Sequence, residues 1–278
     1  MPIEWISAAG SAIFEWGPRA IDFVEHRGSP YTSEEFVESY AESIRDAIDL
    51  VPAVMTFGEA ELRAGTEGVL SLMASVVRAY HGHKGVEVNA NYMVPEPPTD
   101  ELLDAAKFCR KERRSDSFAC FLVLEQWAKL IDALPARLVI PVENDDAGND
   151  ALLFGAPKAY VSNKAQIIND TSQWDIAGDH ESTHVRTEIA EYLKKHREHF
   201  QSFVSIPVSA PTGQTFRPRV GCSPRVMGVV NIQCSRKNIL GRVAANQRKL
   251  LMVLLPLVHV LSYYLLRMNA LSGETNAA

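Results

Sequence analysis

The chain has 278 residues, 46% of them hydrophobic and 22% charged, with a formal net charge of −6. This composition excludes a disordered chain, a collagen-like repeat and a disulfide-rich miniprotein. The acidic balance argues against a protein built chiefly to grip nucleic acid, so no nucleic-acid partner is expected.

Charge is unevenly spread. Residues 1–60 hold 11 acidic and 3 basic residues, a net of −8, and the remaining 218 come to +2. Residues 1–60 therefore read as an acidic N-terminal helical segment joined to a nearly neutral body. Its beginning carries Trp5, Ile6, Ile13, Phe14, Trp16, Ile21 and Phe23, interrupted by Glu4 and Glu15 and without a basic n-region. That pattern predicts an amphipathic docking segment and not an export signal. Thr32-Ser33-Glu34-Glu35 has the logic of a capping box, the hydroxyl serving an orphan amide while Glu35 reaches back. Phe36, Val37, Tyr40, Ala41, Ile44, Ala47, Ile48 and Val51 then recur at helical spacing as far as Pro52. A second helix is predicted over 59–80, with Leu62, Val69, Met73, Val76, Val77 and Tyr80 inward. Gly65 and Gly68 weaken its first half.

Residues 86–94 alternate, with Val86, Val88, Ala90, Tyr92 and Val94 on one face of a half-buried strand that the PEPP run at 95–98 stops. Thr99 or Asp100 caps a third helix carrying Leu102, Leu103, Ala106 and Cys109, which ends in the basic run 107–114. Strands are predicted at 117–124 and 137–143, and the piece between them fits helix or strand. Short β pieces follow at 159–161 and 166–168, then an amphipathic helix at 187–199 with Ile189, Tyr192 and Leu193 inward. In the strand at 202–208, Phe203 and Ser205 face one side and Ser202, Val204 and Ile206 the other. A loop at 211–224, a strand at 226–234 and a closing helix at 246–268 complete the chain. Helices at both ends of an antiparallel sheet make an α+β fold.

Three pieces of the second half resemble GAF domains. They are GAPKAYVSNKAQIINDTSQWD (155–175), HFQSFVSIPV (199–208) and VMGVVNIQCSRKNIL (226–240), flanked by a long helix before the first strand and another after the last. The resemblance covers 65–268, with a helical insertion near 99–133 and a flexible tail at 269–278. It implies a GAF-like antiparallel sheet with flanking helices, acting as a sensory domain in signal transduction. Such a domain holds a small molecule between the sheet and its covering loops, or dimerises. Known ligands of the family include cyclic nucleotides, haem and bilins. Here Asn163-Lys164 lacks the later Phe-x-x-x-acid of the phosphodiesterase type, no cysteine stands where a bilin attaches, and the clustered cysteines of GAF-type free methionine sulfoxide reductases are missing. The resemblance names no cofactor. It implies a non-catalytic module for a cyclic-nucleotide-like or other heterocycle, working through a separate output protein.

The segment from Ile168 to His184 must cross the sheet to reach the helix at 187, so Asn169, Asp170, Thr171, Trp174 and Asp175 become ligand-binding candidates. Trp174 could stack on a heterocycle or plug the core, and Asp170 could cap a turn or touch ligand. Ser202, Ser205 and Asn231 sit in otherwise apolar strands, where a buried polar group needs a partner, backbone or ligand. His180-Glu181-Ser182-Thr183-His184 is a literal HExxH, which as a zinc site would make a metal-dependent hydrolase. The motif needs a helix already running before its first histidine, and Gly178-Asp179 favours a helix start instead.

Cys109, Cys120, Cys222 and Cys234 show no CxxC and read as reduced thiols, which points to the cytoplasm. The 17 residues from Leu250 to Leu266 carry no formal charge. A helix apolar all round needs a cover on its outer side: a membrane, the N-terminal segment or another subunit. Pro256 and His259 make a poor bilayer span, so a homodimer through this helix is expected.

Overall fold

The computed structural model describes residues 34–81, 85–109, 114–129, 137–143, 153–172, 183–211, 216, 222–223, 225–239, 241 and 243–275. Two helices come first, α1 (Glu34–Val54) and α2 (Glu59–His81). Helix α1 buries Tyr40, Ile44, Ala47 and Val51 at the expected period and runs two residues past Pro52. All six residues predicted to point inward from α2 are buried. Gly65, a weakness for the isolated helix, is required in the packed one: a Cβ there would stand 2.1 Å from the Tyr264 ring.

Six strands form one antiparallel sheet in the order β3-β2-β1-β6-β5-β4. They are β1 (Val88–Glu96), β2 (Phe118–Trp127), β3 (Val139–Glu143), β4 (Gln166–Ile168), β5 (Ser202–Ser209) and β6 (Val226–Cys234). The closing helix α6 (Ala244–Thr275) lies with α1 and α2 on one face of this sheet. There Val88, Ala90 and Tyr92 of β1, Val204, Ile206 and Val208 of β5, and Val230 and Ile232 of β6 meet them in one continuous apolar core. Helices α4 (Ala156–Ser162) and α5 (Thr183–Lys195) cover the other face, whose apolar contacts break into smaller clusters.

Several expectations are corrected. The stretch 159–161 is helix, because Gly155 starts α4 with Pro157 in its first turn, a position where the missing N–H costs nothing. The third helix, α3 (Asp100–Ala105), is capped by Thr99 as expected but lasts six residues. Ala106 leaves it, and the Lys107 amide donates to Val139 O at 2.8 Å instead. Among the described residues, the region near 99–133 therefore holds the six-residue α3, a 3-10 turn at Ser115–Ser117 and strand β2, in place of the expected helical insertion. Helix α6 continues through Thr275, into the stretch expected to be a flexible tail.

Helix α6 is long and apolar enough to cross a bilayer by length and composition, yet 72% of its most apolar window is buried inside the protein. Helix α1 supplies much of that cover, with Tyr40 Oη donating to Val253 O at 2.6 Å. Met252 and Leu255 remain exposed, at 37% and 40%. This is the burial of a core helix.

Candidate functional site

On the face covered by α4 and α5, strand register brings polar side chains into rows. Asn91, Asn231 and Ser205 stand opposite one another across β1, β6 and β5, and Asn89, Gln233 and Phe203 form the next row. Ser205 Oγ donates to Asn231 Oδ1 at 2.7 Å, and Asn231 Nδ2 donates to Asn91 Oδ1 at 3.0 Å. The three side chains make a buried hydrogen-bonded chain, each link being needed because all three are withdrawn from water.

Above this row lies a cavity of about 90 Å³ with Asn91, Asn231 and Gln233 among its lining. Its wall is aromatic. Phe108 meets Tyr192 edge to face at 5.3 Å, Tyr192 meets Phe200 at 6.4 Å, and Phe200 meets Phe203 at 4.8 Å. Trp127 and Phe154 extend the lining, and Ile189 and Leu193 of α5 close it. Burial raises the Tyr192 phenol to about 12, so it stays a neutral donor.

Backbone devices position that wall. Gly155 has φ 91°, and a Cβ there would press on the Phe203 ring at 2.9 Å. Only glycine lets the chain enter α4 so close to β5. Phe108 is left-handed at φ 58°, and its amide donates to Glu188 Oε2 at 2.8 Å. Glu188, on α5, thereby ties the turn after α3 to the helix that closes the cavity.

Gln233 is 2% exposed, and its Nε2 is buried without a hydrogen-bond partner among the described residues. It stands where the cavity adjoins a more open cleft of about 440 Å³ edged by Arg78, Lys129 and His199. On the helical side of the sheet a hollow of about 600 Å³ opens between the start of α2 and the end of α6. Its Arg63 already pairs with Glu59 and Glu125, and Tyr92 Oη donates to Met268 Sδ at 3.8 Å. The smaller cavity is the better candidate, because it joins a mostly apolar lining, aromatic walls and an unspent polar group.

The residues singled out from sequence divide sharply. Asn231 lines the cavity floor, and Ser205 lies outside the lining and holds Asn231 through its hydroxyl. Ser202 faces the other side, where its Oγ accepts from the Ile239 amide at 3.1 Å and donates to Arg236 O. Asn169, Asp170 and Thr171 lie outside the cavity lining and fasten the sheet edge. Thr171 Oγ1 donates to Phe200 O at 2.8 Å, and Asn169 O accepts from the Asn238 amide at 2.6 Å. Asp170 caps its turn through the Ser172 amide and hydroxyl and pairs with Lys237 at 2.7 Å. Burial alone would raise its carboxyl, but the hydrogen bonds from Lys237 and Ser172 outweigh that and hold it below the ordinary carboxylate range. Trp174, Asp175, His180 and Glu181 lie outside the described residues. Helix α5 is described from Thr183, and His184 is exposed on its first turn. Among the described residues no three potential metal ligands gather.

The four cysteines are buried and not disulfide-bonded, and none lines the cavity. A hydrogen bond with Cys222, followed by burial, pushes the Cys120 thiol well above its ordinary value, beside Tyr160.

No protein-family model matches the chain, and no curated protein sequence matches it. Solved structures are similar. One is titled as the structure of the GAF domain, at 13% identity over 75% of this chain and 87% of that one, with a TM-score of 0.33. A GAF sensor protein from Burkholderia vietnamiensis is 14% identical over 80% and 92%, with a TM-score of 0.36. The fold is GAF-like. Free methionine-R-sulfoxide reductase from Neisseria meningitidis, in complex with its substrate, is 14% identical over 89% and 96%, with a TM-score of 0.39. The fRMsr of Staphylococcus aureus in reduced form is 9% identical over 73% and 94%, with a TM-score of 0.35. Structures similar to this chain thus include reductases, which overturns the expectation of a non-catalytic module. At TM-scores below 0.5, the ligands and activities of those proteins remain theirs.

Proposed function

We propose that this GAF-like domain binds a small molecule in the cavity between the sheet and helices α4 and α5. One observation carries the reading: an apolar, aromatic-walled cavity has a chain of buried amides along its floor. Such a mixture costs stability in an ordinary core, and it is the make-up of a ligand site. A cyclic nucleotide suits it poorly, since none of the described lining residues is a cation that could meet a phosphate. The test is a thermal-shift screen of small molecules against the full chain and against Leu193→Trp, which fills the cavity. A ligand at 100 times its Kd adds about 2.7 kcal/mol to the native state. Hits should shift the wild type and lose their effect in the filled variant; hits that shift both equally would place the site elsewhere.

A signalling role needs an output, and we extend the proposal to a homodimer built on the open stripe of α6. Met252 and Leu255, three residues apart on one helical face, are its exposed apolar pair. Sedimentation should show a dimer that Met252→Glu with Leu255→Glu dissolves. Four buried thiols without disulfide bonds suit a reducing compartment such as the cytoplasm.

A further inference from the structure

We infer that the cavity takes an uncharged, single-ring aromatic compound that offers a hydrogen-bond acceptor to Gln233 Nε2. This rests on the cavity being a binding site and adds the class of molecule bound there.

Charge is decided by the lining. Among the described residues that bound the cavity there is no Asp, Glu, Lys, Arg or His. Lys158 lies outside that lining, with its Nζ 5.4 Å from the Phe154 ring centroid. An ion entering such a space would lose its hydration without gaining a counter-charge, which strongly disfavours it.

The kind of molecule is decided by shape and surface. The wall from Phe108 through Tyr192 and Phe200 to Phe203 presents ring faces and edges, which pack best against another ring. The volume of about 90 Å³ is below the roughly 150 Å³ that accommodates benzene in an engineered cavity. A single ring, admitted by small side-chain movements, is therefore the largest group that the cavity itself seats.

Orientation is decided by what the floor leaves unspent. Asn231 spends one N–H on Asn91, and its carbonyl oxygen accepts from Ser205. Gln233 points to the same face two residues later, with a buried donor that no described residue satisfies. Native proteins seldom leave such a group unmet, so a carbonyl or ring-nitrogen acceptor on the ligand, or a water standing in for it, belongs there.

Three probes of similar shape separate these terms: benzamide, neutral with a carbonyl; benzoate, its anionic counterpart; and toluene, which has no acceptor. Ligand-observed NMR and thermal shift on the full chain should rank benzamide at least tenfold above toluene, with benzoate silent. In Gln233→Met, which keeps the side-chain length and removes the unmet donor, the melting temperature should hold or rise and the preference for benzamide over toluene should vanish. Benzoate binding as well as benzamide, an unchanged preference in Gln233→Met, or silence from all three probes would overturn the inference. Screening hits that Leu193→Trp abolishes would leave the cavity reading standing in each of those cases. Should Gln233→Met fail to fold, the benzamide–benzoate–toluene ranking on the wild type decides alone.

Discussion

The two faces of the sheet are built to different rules. The helical face is one continuous core in which Leu70, Leu257, Leu261 and Ile232 are fully buried and side chains from α1, α2 and α6 interlock with β1, β5 and β6. The opposite face is divided among smaller clusters, carries a row of amides and leaves a cavity. Stability accumulates where apolar area is removed from water without gaps. A face with a hole and buried amides forgoes part of that gain, and the shortfall marks where the molecule does something other than hold itself together.

The same truncation on each face tests the contrast most directly. Leu261→Ala, at a fully buried site on α6, should cost about 3 kcal/mol. Leu193→Ala, at a half-buried position beside an existing cavity, should cost less than about 1.5 kcal/mol, because little new void is created. Equal losses in denaturant titrations would break the comparison. Next comes Asn231→Leu, which strands Ser205 and Asn91 on the cavity face and should cost about 2 kcal/mol. A neutral result would mean that the amide row is spare. Gly155→Ala forces a side chain into a left-handed conformation against Phe203 and should cost about 1–2 kcal/mol. Ligand binding should fall in this variant by more than its stability does, since the strained turn carries the cavity wall.

The helical face was the more legible in sequence. Period-3.6 runs placed α1 and α2, a charge-free apolar run placed α6, and the apolar stretches 202–208 and 226–234 bounded β5 and β6 almost to the residue. The failures came where a distant contact overrode a local pattern. Ala-Tyr-Val at 159–161 has strand-forming residues, yet Gly155 and Pro157 set a helix that packs on β5 and β6. Alternation correctly put Ser202 opposite Phe203 and Ser205, and that pattern already argued against a shared site. Asn91 and Gln233 were missed although both carry a readable signal, since each is an amide two positions from another in a buried strand. The aromatic wall had no such signal. Phe108, Tyr192, Phe200 and Phe203 are gathered by the left-handed turn at 108 and by the packing of α5, which no local spacing reveals.

The smallest expected effect concerns a partly buried imidazole on the helical face. His259 on α6 packs edge to face on Tyr263 at 5.4 Å, and its Nε2 is buried without a hydrogen bond among the described residues. Burial lowers its pKa from the ordinary 6.5. The unfolded chain therefore takes up a proton at a pH where the native state still resists it. The resulting stability is fully present above pH 6.5 and is lost as pH falls through the lowered native value. Denaturant titrations of the wild type should be flat from pH 8 to 7 and decline below 6.5, ahead of the carboxylates. His259→Leu should remove that early decline and leave stability at pH 8 unchanged or higher, because it exchanges an unpartnered nitrogen for apolar contact. Identical pH profiles for the two proteins would show that the imidazole is hydrated in the native state. The contrast between the faces would then narrow, since the helical side would be admitting water where only the amide-lined side is expected to do so.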